Sequence, residues 1–232
     1  MKALITAAGM GTRLGGLTKN TNKCLLKVGG RSLLKKSLDN LNKNGINEIV
    51  VITGHAFDKV GKEFKGKALF VYNPFYRISG ILPSIWLARD YIGHEEFIFV
   101  TADSIYHTSV LKKCIEAKGD IVICVKKKRC DAEDSKVIIE KKRIINVGKD
   151  IKEKAATGEF MGMVKISKRA CKIFFTEVDK LLKEGRLNTY VADVLVRLMK
   201  KGVDLNVVYT GNKPYIEIDT PGDLKRARKI FK

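Results

Sequence analysis

The sequence predicts an α/β fold: a single domain over 1–232 with a mostly parallel sheet flanked by helices, and a small antiparallel β layer inserted at 120–166. Three observations predict it. Apolar runs of strand length alternate with amphipathic segments of helix length, the pattern of βαβ units with right-handed crossovers. The first run, 3–8, has the length and flanks of a buried parallel strand and breaks into a glycine-rich loop. From 120 to 166 the pattern changes to short alternating runs separated by charged turns, as in antiparallel sheet.

Each element has its own signal. After the first strand, Ser32 is placed to cap a helix whose inner face carries Leu33, Leu34, Leu38 and Leu41, stopped at Gly45. Residues 48–53 read as a second strand, 56–64 as a short helix and 68–72 as a third strand. Asn73-Pro74-Phe75-Tyr76 opens a loop running to Pro83, which suits the first turn of a helix bearing Ile85, Trp86, Leu87 and Tyr91. Residues 96–101 read as a fourth strand, apolar from Phe97 to Val100 as befits a central strand, and Asp103 follows them. Strands are expected at 120–125, 135–139, 143–147 and 159–166, helices at 168–183 and 190–200, and strands at 204–209 and 215–219. Thr220 and Pro221 occupy the N-cap and N1 positions of a terminal helix.

The loop Gly9-Met10-Gly11-Thr12-Arg13-Leu14 carries chemistry. Glycines on either side of one residue let the backbone turn and let a ligand approach. Successive N–H groups there can converge on an anion. Arg13 offers a fork matched to phosphate oxygens, and Lys23 adds a mobile charge. Two better-known phosphate loops are excluded: G-x-x-x-x-G-K-[ST] does not occur, and the residue three beyond Gly11 is Leu14, where G-x-G-x-x-G needs glycine. Asp103 lies where open α/β sheets bind ligands, beyond the carboxyl end of a strand. There it either holds a cation or caps a turn; Asp219 equally could cap the last helix.

The chain has 232 residues and a net charge of +20, from 45 Lys and Arg against 25 acidic residues. Such an excess serves nucleic acid, a triphosphate or a heavily solvated surface. The lysines are spread along the chain, and the densest run, Lys126-Lys127-Lys128-Arg129, has no interleaved aromatics. A nucleic-acid partner is therefore not expected. The five cysteines form no C-x-x-C pair and read as reduced thiols, with Cys124 in the core. No apolar stretch has membrane-spanning length, and Met1-Lys2 leads directly into a core strand. A cytoplasmic protein, monomer or homodimer, is expected.

The string G-x-G-x-R-L, followed by Lys ten residues after the arginine, resembles the signature of the nucleotidyltransferases that activate sugar 1-phosphates, phosphocholine, phosphonates and inositol phosphate. Glu217-Ile218-Asp219-Thr220-Pro221, then Asp223-Leu224, resembles the same family at the other end of the chain. One position departs: Asn22 stands where the family usually has proline before the lysine. The resemblance implies a Rossmann-like nucleotidyltransferase domain using Mg2+ held by Asp103 and Asp219. It implies nucleotide contacts from Ala7, Ala8, Gly9, Gly11, Thr12, Arg13, Lys23, Ser84 and Asp103. Arg13, Lys23, Asp103 and Asp219 are the implied catalytic set. Glu159, Gly162 and Tyr190 are the expected acceptor side, although Glu159 also reads as an ordinary solvent-facing strand residue.

The middle motifs look most like the enzymes that use CTP; UTP- or dTTP-using sugar 1-phosphate transferases are the alternative. A nucleotide-sensing regulatory subunit or an RNA-binding protein are the non-enzymatic readings. Residues 126–159 contain no Trp, Tyr or Phe, and Trp86 falls in an apolar helix pattern. Choline heads are commonly held by aromatic faces. A small polar acceptor, such as inositol 1-phosphate or an aminoalkyl phosphonate, is therefore expected ahead of phosphocholine.

Overall fold

The computed structural model describes residues 1–141 and 143–232. In chain order, β1 (Lys2–Ala7) leads through a 3-10 turn at Thr12–Leu17 and another at Lys23–Leu25 to a small hairpin, β2 (Lys27–Val28) and β3 (Arg31–Ser32). Then come α1 (Leu33–Lys43), β4 (Ile49–Thr53), α2 (Phe57–Glu63), β5 (Leu69–Tyr72), α3 (Ile81–Leu87), α4 (Arg89–Ile92), β6 (Phe97–Thr101), β7 (Ser104–Tyr106) and α5 (Thr108–Glu116). The second half carries β8 (Ile121–Lys126), β9 (Lys136–Glu140), β10 (Arg143–Gly148), β11 (Gly158–Ile166), α6 (Lys168–Lys183), α7 (Val191–Lys200), β12 (Leu205–Tyr209), β13 (Tyr215–Glu217) and α8 (Pro221–Ile230).

Among the described residues nine strands form one sheet, in the order β10-β9-β11-β6-β1-β4-β5, with β8 beside β11 and β12 beside β8. The half containing β6, β1, β4 and β5 is parallel, so the carboxyl ends of these strands share one edge. The segment 120–166 is antiparallel, and its strands are hydrogen-bonded into the same sheet: β11 pairs with β6, β8 and β9. A register shift in β11 between Phe160 and Val164 lets the strand pass from β9 to β6. Gly162 sits in that shift at φ 64°, a conformation that costs a side-chain-bearing residue about 1 kcal/mol or more.

Alternation along β1 divides the core. Leu4 faces Phe97, Phe99 and the helices α3, α6 and α7, while Ala3 and Ile5 face α1, α2 and α5. Phe97 is wedged between Phe174 and Phe175 of α6, with ring centroids 5.8 and 5.6 Å away. Burying each such ring is worth roughly 2–3 kcal/mol. A third, smaller cluster gathers Leu14, Leu26, Val28, Leu33, Ile105, Ile218 and Leu224. It anchors the glycine loop, the hairpin and the terminal helix to one another beneath the edge where the parallel strands end.

Several local expectations change. Ser32 stands at the N-cap of α1, but its hydroxyl bonds Glu63 Oε1 at 3.3 Å and no backbone N–H of the helix. Pro83 lies in the first turn of α3 as expected, the helix starting two residues before it with Gly80 as N-cap. The helical pattern through Tyr91 is divided between α3 and α4. The hairpin, β7 and α5 have no counterpart in the sequence reading. Thr220 caps α8 with a reciprocal bond to Asp223, and Pro221 is its first residue. All five cysteines are free and buried. Among the described residues no helix is long and apolar enough to cross a membrane.

Candidate active site

The carboxyl ends of β1 and β6 open onto a cavity of about 1000 Å³. Its wall is formed in part by Ala7, Gly9, Gly11, Thr12 and Arg13, in line with a loop whose backbone faces a ligand. Gly11 has φ 63°, and a Cβ there would come 3.2 Å from Thr18 Cγ2 and 3.4 Å from Lys23 Cβ. The glycine therefore serves both the turn and the close passage of the Lys23 turn. Thr18 is buried and holds the loop from behind, donating its hydroxyl to the Gly11 carbonyl at 2.8 Å.

Asp103 stands in the turn between β6 and β7. β7 pairs antiparallel with β13, Ile105 opposite Ile216 and Ser104 opposite Glu217. The ladder continues with the Ile218 N–H donating to the Asp103 carbonyl at 3.0 Å. That pairing brings Asp219 to Asp103 across more than a hundred residues of sequence. Asp223, in the first turn of α8, then fixes the Asp219 backbone by accepting from the Asp219 and Thr220 N–H groups at 3.1 and 2.7 Å.

Lys23 closes the group. Its Nζ donates to Asp103 Oδ2 at 2.8 Å and to Asp219 Oδ1 at 2.7 Å. Arg13 Nη2 lies 2.9 Å from the other oxygen of Asp219, and Arg13 Nη1 reaches Glu133 Oε2 at 3.3 Å. Burial opposes charge on Lys23, but Asp103 and Asp219 together raise its pKa above the ordinary lysine value. Burial likewise opposes charge on Asp103, and the Lys23 ammonium overcomes it, holding the carboxyl below the usual range.

Glu217 was not anticipated. Oxygen atoms of Asp103, Glu217 and Asp219 all lie within 4.8 Å of one another. Crowding by protein, then the charges of Asp103 and Asp219, push Glu217 up to about 8, although the residue opens onto solvent in the cavity. Asp103 Oδ1 is buried without a hydrogen-bond partner. An orphaned carboxylate oxygen beside two further carboxylates is a donor set suited to a hard divalent cation, so these residues fit a metal. The available signal was the spacing: Glu217 and Asp219 are two residues apart at the end of an extended segment, on the same side of it.

Another part of the cavity wall, where the acceptor was expected, is formed by β8, β11 and the loop 131–135. Glu159, Gly162 and Tyr190 all line the cavity. Glu159 is 8% exposed and 3.5 Å from Lys128, which also binds Asp134 at 2.8 Å. Burial raises the Glu159 pKa and Lys128 opposes the rise. Lys136 is 1% exposed and donates to the carbonyls of Asp131, Ala132 and Asp134 at 3.1, 3.2 and 2.9 Å, fixing the rim of the cavity. Tyr190 is 54% exposed, and Lys149 Nζ already lies 5.4 Å from its ring centroid.

Two expected nucleotide contacts lie elsewhere. Ser84 is buried in α3, outside the cavity wall, where its hydroxyl accepts from Asn73 Nδ2 at 2.9 Å and braces the loop after β5. Ala8 is also outside the wall, its carbonyl accepting from the His55 N–H at 3.1 Å. Trp86 is not part of the cavity wall; it is bonded to Asp179 and covered by Arg89.

A family profile described as "MobA-like NTP transferase domain" matches residues 3–208. The bifunctional IPC transferase and DIPP synthase of Aquifex aeolicus is 28% identical over 99% of this chain and 51% of its own length. The CTP:phosphoglutamine cytidylyltransferase of Campylobacter jejuni is 28% identical over 97% of this chain and 98% of its own. The chain thus spans about half the length of the bifunctional relatives it matches. Among solved structures, the inositol-1-phosphate CTP transferase from T. maritima superposes with a TM-score of 0.80 at 25% identity, covering 99% of this chain and 95% of that one.

Proposed function

The chain belongs to the MobA-like NTP transferase domain family, and from that membership we propose that it catalyses nucleotidyl transfer to a small phosphorylated alcohol or phosphonate. An oxygen of the acceptor's phosphate or phosphonate attacks the α-phosphorus of a nucleoside triphosphate. A phosphorus–oxygen bond forms there, the bond to the β-phosphate bridge breaks, and pyrophosphate leaves with the electron pair. The acceptor oxygen is ionised at neutral pH, so no general base is needed. The remaining work is positioning and charge stabilisation.

The observation that carries this reading is the Lys23 ammonium set between Asp103 and Asp219 at the base of the glycine loop. Gly9 and Gly11 leave room for a triphosphate along the loop, and Arg13 neutralises the departing pyrophosphate. Lys23 meets the charge that grows on the α-phosphate. Asp103, Glu217 and Asp219 would hold Mg2+, which, when bound, supplies positive charge to phosphate oxygens.

CTP is the favoured donor, in keeping with the middle motifs and with the relatives named for CTP. The acceptor side carries Glu159, Asp134, Lys128 and Lys149, groups that bind hydroxyls, an amine or an acid. The Tyr190 ring is engaged by Lys149 and Trp86 is not in the cavity wall, which disfavours a choline head. The test is a screen of four nucleoside triphosphates against phosphorylated polyols, aminoalkyl phosphonates and phosphocholine, with pyrophosphate as readout. CTP with a polar acceptor should be fastest. Equal kcat/KM for CTP and UTP would overturn the base assignment, and phosphocholine outrunning every polar acceptor would overturn the acceptor class.

A further inference from the structure

We infer that Asn22 is a positioning residue for Lys23: its side-chain amide ties the lysine's turn to the ends of two strands and so fixes where the ammonium meets the α-phosphate. This rests on the nucleotidyl-transfer role of Lys23 proposed above. Asn22 is 1% exposed. Its Oδ1 accepts from the Cys24 N–H at 2.9 Å, capping the 3-10 turn that contains Lys23. Its Nδ2 donates to the Ala7 carbonyl at 2.7 Å and to the His55 carbonyl at 2.8 Å. One amide therefore joins three segments: the end of β1, the loop after β4 and the lysine's own turn.

The location explains the choice of residue. Ala7 is the last residue of the β1 ladder, paired with Thr53. Beyond it one further bond, from the His55 N–H to the Ala8 carbonyl, links the two chains, and the Ala7 and His55 carbonyls are satisfied by the Asn22 side chain instead of a strand. An amide NH2 supplies two donors in one plane while its oxygen caps the turn. No other uncharged side chain of that size does both. Lys23 is next in the chain, and its Cβ is 3.4 Å from where a Cβ on Gly11 would lie. The lysine stem is thus confined on one side by the glycine loop and at its root by Asn22. Small misplacements of a reacting group cost rate out of proportion to distance. A loosened turn would leave triphosphate binding to the loop and Arg13 while the ammonium missed the α-phosphate.

The test is Asn22→Asp, an isostere that keeps the acceptor for Cys24 and places an oxygen against the two carbonyls. Asn22→Ser is the second variant. It keeps a favourable N-cap for the turn but lacks the reach and the donors to join both carbonyls. Folding is checked by circular dichroism, and kcat and KM for the triphosphate are measured separately. The expected result is a kcat lower by about ten-fold or more in each folded variant, with KM for the triphosphate within about three-fold of the parent. A folded Asn22→Asp or Asn22→Ser protein with parental kcat overturns the inference. So does a loss confined to KM, or a fall in melting temperature with unchanged turnover. If the nucleotidyl-transfer reading itself fails, the parent releases no pyrophosphate from any pair. Failure of the positioning role alone leaves the parent active and the variants equal to it.

Discussion

The ammonium of Lys23 is shared by Asp103 and Asp219, while Arg13 holds the second oxygen of Asp219. A divalent cation held by Asp103 and Asp219 would compete with Lys23 for the same carboxylate oxygens, and under the proposed reaction the lysine would turn to a phosphate as the metal bound. Lys23→Ala should lower kcat by about 10²–10³-fold, the usual loss for removing one charge-stabilising group, with a smaller change in triphosphate KM. The same variant should bind Mn2+ more tightly than the parent in the absence of nucleotide, read by calorimetry. A change in KM alone would make Lys23 a binding group. Asp103, Asp219 and Lys23 were singled out by the family resemblance at the two ends of the chain; by position alone the two carboxylates read as well as caps, and the structure brings all three together. Glu217 was passed over although it alternates with Asp219. A hydroxyl in an apolar helix gives no sign in the sequence of which face it takes, and Ser84 here braces Asn73 outside the cavity wall.

At the scale of elements, the strands of the parallel half and the helices α6, α7 and α8 follow directly from apolar periodicity and capping residues. The pairing of β7 with β13 does not. Three residues of strand are too short to carry a pattern, and the partner lies more than a hundred residues away. Yet this small ladder is what brings the two ends of the chain's chemistry together. The second half also hides its polar joints. Glu177 is buried on α6 and bonded to Lys201, just beyond α7, and to Lys180 at 3.3 Å. Burial works against its charge, but the two lysines prevail and hold its pKa below the ordinary glutamate value. A depressed carboxyl adds stability that is present at neutral pH and lost as pH falls through the folded-state value. Glu177→Gln should therefore cost about 1 kcal/mol at pH 7, an allowance that reflects the exposure of both lysines. The difference from the parent should shrink in acid below the ordinary glutamate pKa. Thermal melts of both proteins from pH 7 to pH 3 measure this; a constant difference across that range would remove Glu177 from the account.

The whole molecule reads as a sheet whose parallel edge carries the glycine loop and whose antiparallel half completes the wall of the cavity. Its charge of +20 gives a field that favours the approach of polyanions, without deciding which polyanion reacts. Composition left the choice between a triphosphate and RNA to the motifs; the cavity, with Lys23 and three carboxylates at its floor, favours a small triphosphate. What sequence could not supply was depth: which residues face the cavity, which stand behind it, and how Asn22 is used. The central claim is that the bond broken lies between the α- and β-phosphates and that the α-phosphate passes to the acceptor. Incubating the protein with Mg2+, a polar phosphorylated acceptor and CTP labelled at the α-phosphate tests it directly. The label should appear in a new cytidine diphosphate conjugate of the acceptor, with one pyrophosphate released for each conjugate formed. Label recovered only as CMP or CDP, or a phosphorylated acceptor carrying the γ-phosphate instead, would contradict it.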